Sequence, residues 1–217
     1  MSILKIDGSM GEGGGQILRY ALALSALTLK PVEIFNIRAK RSNPGIRPQH
    51  LTAINAIAEL TNAEVEGAFI GSTKLIFKPR ERLCGEFVFD IGTAGSVSLV
   101  IQAMLPVLVF SNCRSKITLK GGTNVPLSPP IDYMVHVFRH NIRHFGVDID
   151  IKLHRRGHYP RGGGLVKLDV KPAKDMLKPI DKVLRGKLTK LFIISHCVKL
   201  PSHVAKRQVD AAISVLS

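Results

Sequence analysis

A pattern of strand, helix, strand, helix and two strands occurs twice along the chain, and this internal repeat constrains the fold more than any other feature. Its first strand is ILKID at residues 3–7, and EFVFDI begins about 83 residues later, at residue 86. Repeats of this length indicate one supersecondary unit that is copied and packed against its neighbour. The sequence therefore predicts two β-α-β-α-β-β units.

In the first unit, strand 3–7 is followed by a glycine-rich turn and a helix from Gly15 to Leu29. A strand at 31–38 leads through a basic loop to a helix at Pro48–Thr61, where proline suits the first helical position. The segments AEVEGAF and TKLIFK close the unit as a hairpin.

In the second unit, strand 86–91 and the turn GTAGS lead into a helix at 97–110, which we expect to be kinked or shortened at Pro106. A strand at 115–121 and a loop precede a helix at 131–145, which ends at Gly146. The segments VDIDIKL and GLVKLDV then form another hairpin.

Sheets with helices on one face must bury the apolar helix faces against a neighbour, so the fold class is α/β (α+β), with repeated units packed as one large domain. We expect this domain at 1–180, with repeats at about 3–80 and 84–171. The pattern then changes to a basic segment, a strand LFIISHCV and a helix from about Ser202. The apolar period of this helix is still running at Ser217, so we expect that a third repeat is absent from this chain.

Composition and cysteine usage limit the class of protein. Apolar residues make up 45% of the chain, which is typical of a globular protein, and no apolar run reaches the length of a membrane span. The N-terminus lacks the apolar core of a signal peptide, which predicts a cytoplasmic protein without a membrane partner. Cys84, Cys113 and Cys197 form no paired motif, so we expect reduced thiols.

The net charge is +15, and it is concentrated in the second half of the chain. Residues 113–217 contain 20 basic and 7 acidic residues, whereas residues 1–112 contain 11 and 9. Such a surplus indicates a polyanionic partner, with nucleic acid as the leading candidate. A charge that only maintains solubility is the alternative.

The glycine-rich turn SMGEGGGQILRY contains a carboxylate where a phosphate site is expected. Glycine turns that enter a helix usually bind phosphate through backbone N–H groups, and Glu12 would repel that phosphate. A divalent cation between them removes the conflict, since Mg²⁺ is usually bound by one or two carboxylates plus phosphates. Glu12 is thus a candidate metal ligand and Arg19 a phosphate ligand, with Gln16 on the same face at helical spacing. The alternative is that Glu12 only complements the helix dipole.

Other candidates lie in loops and in one apolar helix. Arg38 and Arg41 belong to a basic loop that suits phosphate, or that is only a solvated charge run. Gln102 lies among apolar residues and is either a satisfied core amide or a contact to a nucleobase. The loop GGTNVPLSPP, which contains Pro129, is stiff and apolar enough to pack against a flat ring.

Two further motifs are weaker. The loop RRGHYPRGGG interleaves arginines with His158 and Tyr159, which fits single-stranded nucleic acid, while a plain flexible hairpin loop explains it equally well. Histidines recur at helical spacing at positions 136, 140 and 144, but no acidic residue accompanies them, which argues against a metal site.

These motifs, in order and spacing, resemble the RNA 3'-terminal phosphate cyclase family over essentially all of residues 1–217. The resemblance implies three β-α-β-α-β-β repeats, each similar to the C-terminal domain of bacterial translation initiation factor three, with a smaller domain inserted before the last. Residues 181–217 would then begin the inserted domain. The resemblance also implies an ATP-dependent ligase, in which AMP passes from an enzyme histidine to an RNA 3'-phosphate. The vicinal 2'-hydroxyl then displaces AMP and forms a 2',3'-cyclic phosphate.

Site roles follow from the same resemblance. Glu12 would hold Mg²⁺ or Mn²⁺, Gln16 and Arg19 would lie at the ATP triphosphate, Gln102 would contact adenine and Pro129 would pack on it. Arg38 and Arg41 would contact RNA or its phosphate. The family's nucleophilic histidine lies in the third repeat, so we expect it to be absent from this chain.

The expected partners are ATP and RNA with a 3'-phosphate end, and the oligomeric state stays open. One alternative is a non-catalytic cyclase-like RNA-binding protein of ribosomal RNA processing. A weaker alternative is an enolpyruvyl transferase, which the GEGGGQ turn argues against.

Overall fold

The computed structural model describes residues 2–174, 176–184 and 186–216. The chain divides into two compact units, Met1–Pro179 and Ile180–Ser217. In the first unit the strands and helices follow one another as β1 (Leu4–Asp7), α1 (Gly15–Thr28), β2 (Val32–Phe35), α2 (Pro48–Thr61), β3 (Glu64–Glu66), β4 (Leu75–Lys78), β5 (Glu86–Asp90), α3 (Val97–Val109), β6 (Ser115–Gly121), α4 (Ile131–Tyr133), a π-helix (Met134–Phe138), α5 (Arg139–Arg143), β7 (Asp148–Arg155) and β8 (Gly164–Lys171).

The two repeats form two sheets with the same topology. The strand orders are β1-β2-β4-β3 and β5-β6-β8-β7. In each sheet the first two strands are parallel and the remaining neighbours are antiparallel. Parallel neighbours need a crossover connection, which α1 and α3 supply. The predicted β-α-β-α-β-β order and the mixed α and β class are therefore confirmed.

The helices of the two repeats pack against each other and form much of the core. Helix α3 contacts both α1 and α2, and ten of its 13 residues are buried. A helix that is apolar all round is one that other elements cover on every side. The packing of α3 between its own sheet and the helices of the first repeat thus explains its sequence.

Two helix and strand ends differ from the prediction. Strand β2 ends at Phe35, because Asn36 and Arg38 have φ values of 53° and 55°, in the left-handed region that cannot continue a strand. Helix α3 continues through Pro106 to Val109, so the helix is not shortened at proline, and the kink expected as the alternative stays a prediction. The burial of residues on both sides of Pro106 favours the continued helix over its lost hydrogen bond.

The helical segment after β6 ends at Arg143, two residues before the predicted end. It contains a π-helical turn, in which the Arg139 N–H donates to the Met134 carbonyl, five residues earlier. Gly146 follows with a φ of 88°, a conformation that suits glycine and stops the helix.

The prediction of three reduced cysteines was wrong, since Cys84 and Cys113 form a disulfide. Strands β5 and β6 pair in parallel with Glu86 opposite Lys116, so the residues just before each strand lie side by side. The two Cα atoms are 5.6 Å apart, which is within the range that a disulfide requires. Cys197 is a free thiol.

The second unit contains α6 (Ser202–Leu216), which agrees with the predicted helix from about Ser202. The strand predicted for LFIISHCV was wrong, because residues 191–198 do not pair with any strand among the described residues. That this unit begins an inserted domain stays a prediction. Within the described part of the chain, no helix is both long and apolar enough to cross a membrane.

Candidate functional site

The N-terminal ends of α1 and α2 border a cleft of about 880 Å³, which we call the main cleft. Five of the residues predicted from the sequence line it, and they come from the glycine-rich turn, from α1 and from the basic loop between β2 and α2. These residues are Glu12, Gln16, Arg19, Arg38 and Arg41. The main cleft is therefore the part of the structure that brings most of the candidate residues together.

The glycine-rich turn places Glu12 outside the helix. Helix α1 begins at Gly15, so the predicted helical spacing holds for Gln16 and Arg19 but not for Glu12, which lies in the preceding turn. The Glu12 side chain is 92% exposed, and its carboxylate lies 3.5 Å from Nη2 of Arg41. An exposed pair at this distance contributes little to stability, so the carboxylate remains accessible to a ligand.

The basic loop packs directly on the glycine-rich turn. Nζ of Lys40 donates to the Gly11 carbonyl at 3.0 Å. A Cβ atom on Gly14 would lie 2.9 Å from Nη2 of Arg41, and one on Gly13 would lie 3.2 Å from the Lys40 side chain. The glycines thus make room for the cationic side chains as well as for a ligand, which the sequence did not indicate.

Arg38 has a structural role in the basic loop. Its Nη1 donates to the carbonyls of Asn43 and Gly45 at 2.6 Å and 2.9 Å, which holds the loop in shape. Burial lowers the pKa of Arg38, and the positive charges of Arg47 and Arg41 lower it further. One edge of this guanidinium is therefore occupied by hydrogen bonds to loop carbonyls.

Arg19 is half-buried on the face of α1 that lines the main cleft. Burial is the main cause of its lowered pKa. Among the described residues, no hydrogen bond or ion pair satisfies its guanidinium. A half-buried cation without a carboxylate partner carries a desolvation cost that an anionic ligand would offset.

His50, on the first turn of α2, is 3% exposed and lines the main cleft. Burial lowers its pKa from 6.5 to about 3, and the charges of Arg19, Arg38 and Arg47 add to the effect. Nδ1 of His50 accepts the Arg47 N–H at 3.2 Å, so the neutral ring carries its proton on Nε2. Neither nitrogen then has a free lone pair, so His50 is a poor nucleophile.

Nε2 of His50 lies against the start of α1. A Cβ atom on Gly15 would be 2.1 Å from Nε2, so no other residue fits at this position without displacing the imidazole. His50 therefore joins the N-terminal ends of α1 and α2, both of which point backbone N–H groups towards an anion.

The electrostatics of the main cleft suit an anion that arrives with a metal ion. Arginines 19, 38 and 41 line it, and Glu12 is the one acidic residue among its described lining residues. No group of three metal-ligating side chains occurs in the described ranges. One carboxylate is too few for a dedicated metal site, but it fits Mg²⁺ whose other ligands are phosphate oxygens and water.

Gln102 and Pro129 do not line the main cleft. Gln102 lines a separate apolar groove of about 300 Å³, together with Leu105, Pro106 and Phe138, and Tyr20 lines both the groove and the main cleft. Pro129 is half-buried in the loop after β6 and lines neither. The structure thus separates these two residues from the five that meet in the main cleft.

Besides His50, the residues Leu127 and Gln49 of the main cleft were not predicted from the sequence. Leu127, from the loop GGTNVPLSPP, is fully exposed at 101% and has a φ of 61°. Gln49 accepts the Ser96 N–H on its Oε1 at 3.2 Å, which connects α2 to the turn before α3. The apolar character of the 121–130 loop was the available signal for Leu127, whereas nothing in the sequence pointed to Gln49.

Comparison with known proteins assigns the family. The family model described as RNA 3'-terminal phosphate cyclase matches residues 10–214. The curated RNA 3'-terminal phosphate cyclase of Desulfurococcus amylolyticus is 64% identical over 217 residues, which are 100% of this chain and 61% of that protein. Those of Staphylothermus marinus and Korarchaeum cryptofilum are 61% and 55% identical, over 100% of this chain and 60% and 62% of their own lengths.

The chain thus spans about three fifths of the length of these curated relatives. The match nevertheless covers both repeats, the glycine-rich turn and all residues that line the main cleft from Met10 onwards. The chain belongs to the RNA 3'-terminal phosphate cyclase family.

Proposed function

We propose that this chain forms the ATP- and RNA-binding part of an RNA 3'-terminal phosphate cyclase, an ATP-dependent enzyme that converts an RNA 3'-phosphate into a 2',3'-cyclic phosphate. The observation that carries the proposal is the main cleft, in which three arginines and one carboxylate meet at two helix N-termini. Such a site selects phosphates, because both the guanidinium groups and the backbone N–H groups bind anions. The reaction in this proposal is the one for which the similar curated proteins are named.

In this proposal the triphosphate of ATP binds along α1. Arg19 contacts phosphate oxygens, which relieves the desolvation cost of its half-buried guanidinium, and Gln16 donates from the same helical face. Glu12 holds Mg²⁺ or Mn²⁺ at the mouth of the main cleft. A divalent ion there would supply positive charge to the phosphate oxygens during nucleotidyl transfer.

The RNA 3'-phosphate binds at the basic loop. Arg41 is exposed, and its weak contact with Glu12 leaves the guanidinium available for a bidentate phosphate contact. Arg38 contributes its charge and the free edge of its side chain, while the Nη1 edge keeps the loop in position. His50 is a positioning residue that stays neutral at pH 7 and fixes both helix starts.

The adenine base is placed at the groove of Gln102. Tyr20 lines both that groove and the main cleft, so a nucleotide whose phosphates lie at Arg19 can extend past Tyr20 towards Gln102. Pro129 packs on adenine only if the 121–130 loop moves towards the base. The nucleophilic histidine and the intermediates are proposed from family membership, and the cytoplasmic location stays a prediction from the sequence. Disulfides are rare in the cytosolic proteins of mesophiles, so the bond between Cys84 and Cys113 does not support that location.

The alternative of a non-catalytic RNA-binding relative predicts RNA binding without ATP. The joint presence of Glu12, Gln16 and Arg19 in the main cleft favours the enzyme, because an RNA-binding role alone needs neither a carboxylate nor a second phosphate site.

The test compares two RNA oligonucleotides of one sequence, one with a 3'-phosphate and one with a 3'-hydroxyl, by fluorescence anisotropy with the 217-residue chain. We expect tighter binding of the phosphorylated RNA and a loss of that preference by about tenfold or more in Arg41→Ala, since a charge-assisted contact contributes about 1.5–3 kcal/mol. Arg80→Ala, which removes an exposed arginine paired with Glu64 at 3.7 Å, is the matched control. Equal binding of the two RNAs by the unaltered chain would contradict the assignment.

A further inference from the structure

The loop between β7 and β8, residues 156–163, is held at the surface of the second repeat by several hydrogen bonds. At its base the Gly157 N–H donates to Oγ1 of Thr123 at 3.0 Å, and the Thr123 N–H donates to the Gly157 carbonyl at 2.8 Å. The Gly162 N–H donates to the His158 carbonyl at 2.7 Å. These bonds give both sides of the loop defined hydrogen-bond partners.

The tip of this loop presents an aromatic ring and a cation. Tyr159 is 76% exposed, and Arg161 is exposed and forms no hydrogen bond or ion pair with the residues that the structure describes. The neighbouring Asp132 is bound by Arg156 through two hydrogen bonds of 2.6 Å and 2.8 Å, so its charge is compensated. Residues 156–163 include no acidic side chain. The tip therefore has a positive charge beside an open ring face.

The loop also lies beside the rim of the main cleft. A Cβ atom on Gly162 would be 2.4 Å from the Thr93 carbonyl oxygen, so the loop packs on the turn before α3. The same turn donates the Ser96 N–H to Gln49, which lines the main cleft. A strand whose 3' end occupies the main cleft can thus pass over this turn to Tyr159.

We infer that Tyr159 and Arg161 form a binding site for single-stranded RNA, at nucleotides upstream of the 3' end that the main cleft holds. The inference rests on the proposed function, since it takes RNA as the ligand of the main cleft. The ring of Tyr159 stacks on a base, and Arg161 contacts the adjoining backbone phosphate. Stacking tolerates any base, so this site extends affinity along the strand without selecting a sequence.

The test measures binding of 3'-phosphorylated RNA of two and of twelve nucleotides by the unaltered chain and by Tyr159→Ala. A stacked base contributes about 1–3 kcal/mol, so the twelve-nucleotide RNA should bind about tenfold more weakly to the variant. The dinucleotide, which fills only the main cleft, should keep its affinity. Tyr159→Phe should bind like the unaltered chain, because stacking needs the ring and not the hydroxyl.

Matched controls separate this inference from the proposed function. Phe69→Ala removes an exposed aromatic residue, 62% accessible, from the loop at the same position in the first repeat, and should change neither affinity. Arg161→Ala should reduce the slope of log affinity against log salt by about 0.7, which corresponds to one phosphate contact on a single strand.

Unchanged binding of the twelve-nucleotide RNA in both Tyr159→Ala and Arg161→Ala would overturn the inference, and so would an equal loss for the dinucleotide. RNA binding that depends on Tyr159 in a chain that does not bind Mg²⁺–ATP would support the inference and contradict the proposed function. Binding of Mg²⁺–ATP and of the phosphorylated dinucleotide, with no loss for the twelve-nucleotide RNA in Tyr159→Ala or Arg161→Ala, would support the proposed function and overturn the inference.

Discussion

Removal of the disulfide between Cys84 and Cys113 should strongly destabilise the first unit. The two cysteines are 29 positions apart, so the bond closes a loop of about 30 residues that contains β5 and α3. In the chain-entropy model, closing such a loop lowers the entropy of the unfolded chain by about 12 cal/mol/K, or about 3.6 kcal/mol at 25 °C. For a unit of this size, that loss should lower the melting temperature by about 7–14 °C.

The assay is urea unfolding, followed by circular dichroism, of the unaltered chain and of the double variant Cys84→Ser/Cys113→Ser. Cys197→Ser is the matched control, because this thiol is free and lies in the second unit. A reductant should destabilise the unaltered chain and the control, and should leave the double variant unchanged. A difference below about 1 kcal/mol between the double variant and the unaltered chain would refute the reasoning.

Three other perturbations test the packing at the main cleft and between the repeats. Gly15→Ala should abolish ATP binding, because its Cβ would meet Nε2 of His50 at 2.1 Å. A second substitution, His50→Ala, should restore the folded start of α1 but not the full affinity for ATP, and an unchanged ATP titration of the single variant would contradict this reasoning. The pKa of His50 is about 3 in the folded chain against 6.5 unfolded, so its contribution to stability is complete above pH 6.5 and is lost as the pH falls towards 3. Between pH 5 and pH 6 the free energy of unfolding should therefore rise about 1.2 kcal/mol more in the unaltered chain than in His50→Gln, and equal rises would exclude the buried neutral ring. Arg82 donates to the Leu27 carbonyl in the last turn of α1 at 2.8 Å and to the Phe110 carbonyl just after α3 at 3.1 Å, so Arg82→Ala should cost about 2–3 kcal/mol of unfolding free energy. Arg80→Ala should cost less than about 0.5 kcal/mol, and similar losses in the two variants would contradict the role of Arg82.

The repeated order of strands and helices could be predicted because it depends on local patterns. Alternating apolar residues, glycine turns and Pro48 identify elements whose bounds agree with the structure within a few residues. The strand predicted at 191–198 was wrong for the converse reason, since a strand needs a hydrogen-bonded neighbour and none is present among the described residues. Periodicity alone carries no information about such a neighbour.

The disulfide depends on strand pairing, which the spacing of the cysteines does not show. Cys84 and Cys113 are 29 residues apart in the sequence, and each lies two residues before a strand. The two strands pair in parallel in the structure, and this register brings the cysteines together.

The candidate site was predictable only where its residues share one segment. Gln16 and Arg19 lie on the same face of α1, which the spacing indicated. The contact of Gly15 with His50 and the role of Gln49 depend on how α2 packs against α1 and on the turn before α3. These contacts join distant parts of the chain, so local patterns could not reveal them.

The central claim is that the main cleft binds a nucleotide phosphate together with a divalent ion held by Glu12. Isothermal titration of the 217-residue chain with ATP, with and without Mg²⁺, tests it most directly, with Glu12→Ala as the variant and the exposed Glu59→Ala as the matched control. We expect Mg²⁺ to strengthen ATP binding by about tenfold or more in the unaltered chain and in Glu59→Ala, and to have no such effect in Glu12→Ala, because only that variant lacks the carboxylate ligand. An equal effect of Mg²⁺ in Glu12→Ala and in the unaltered chain would contradict the account.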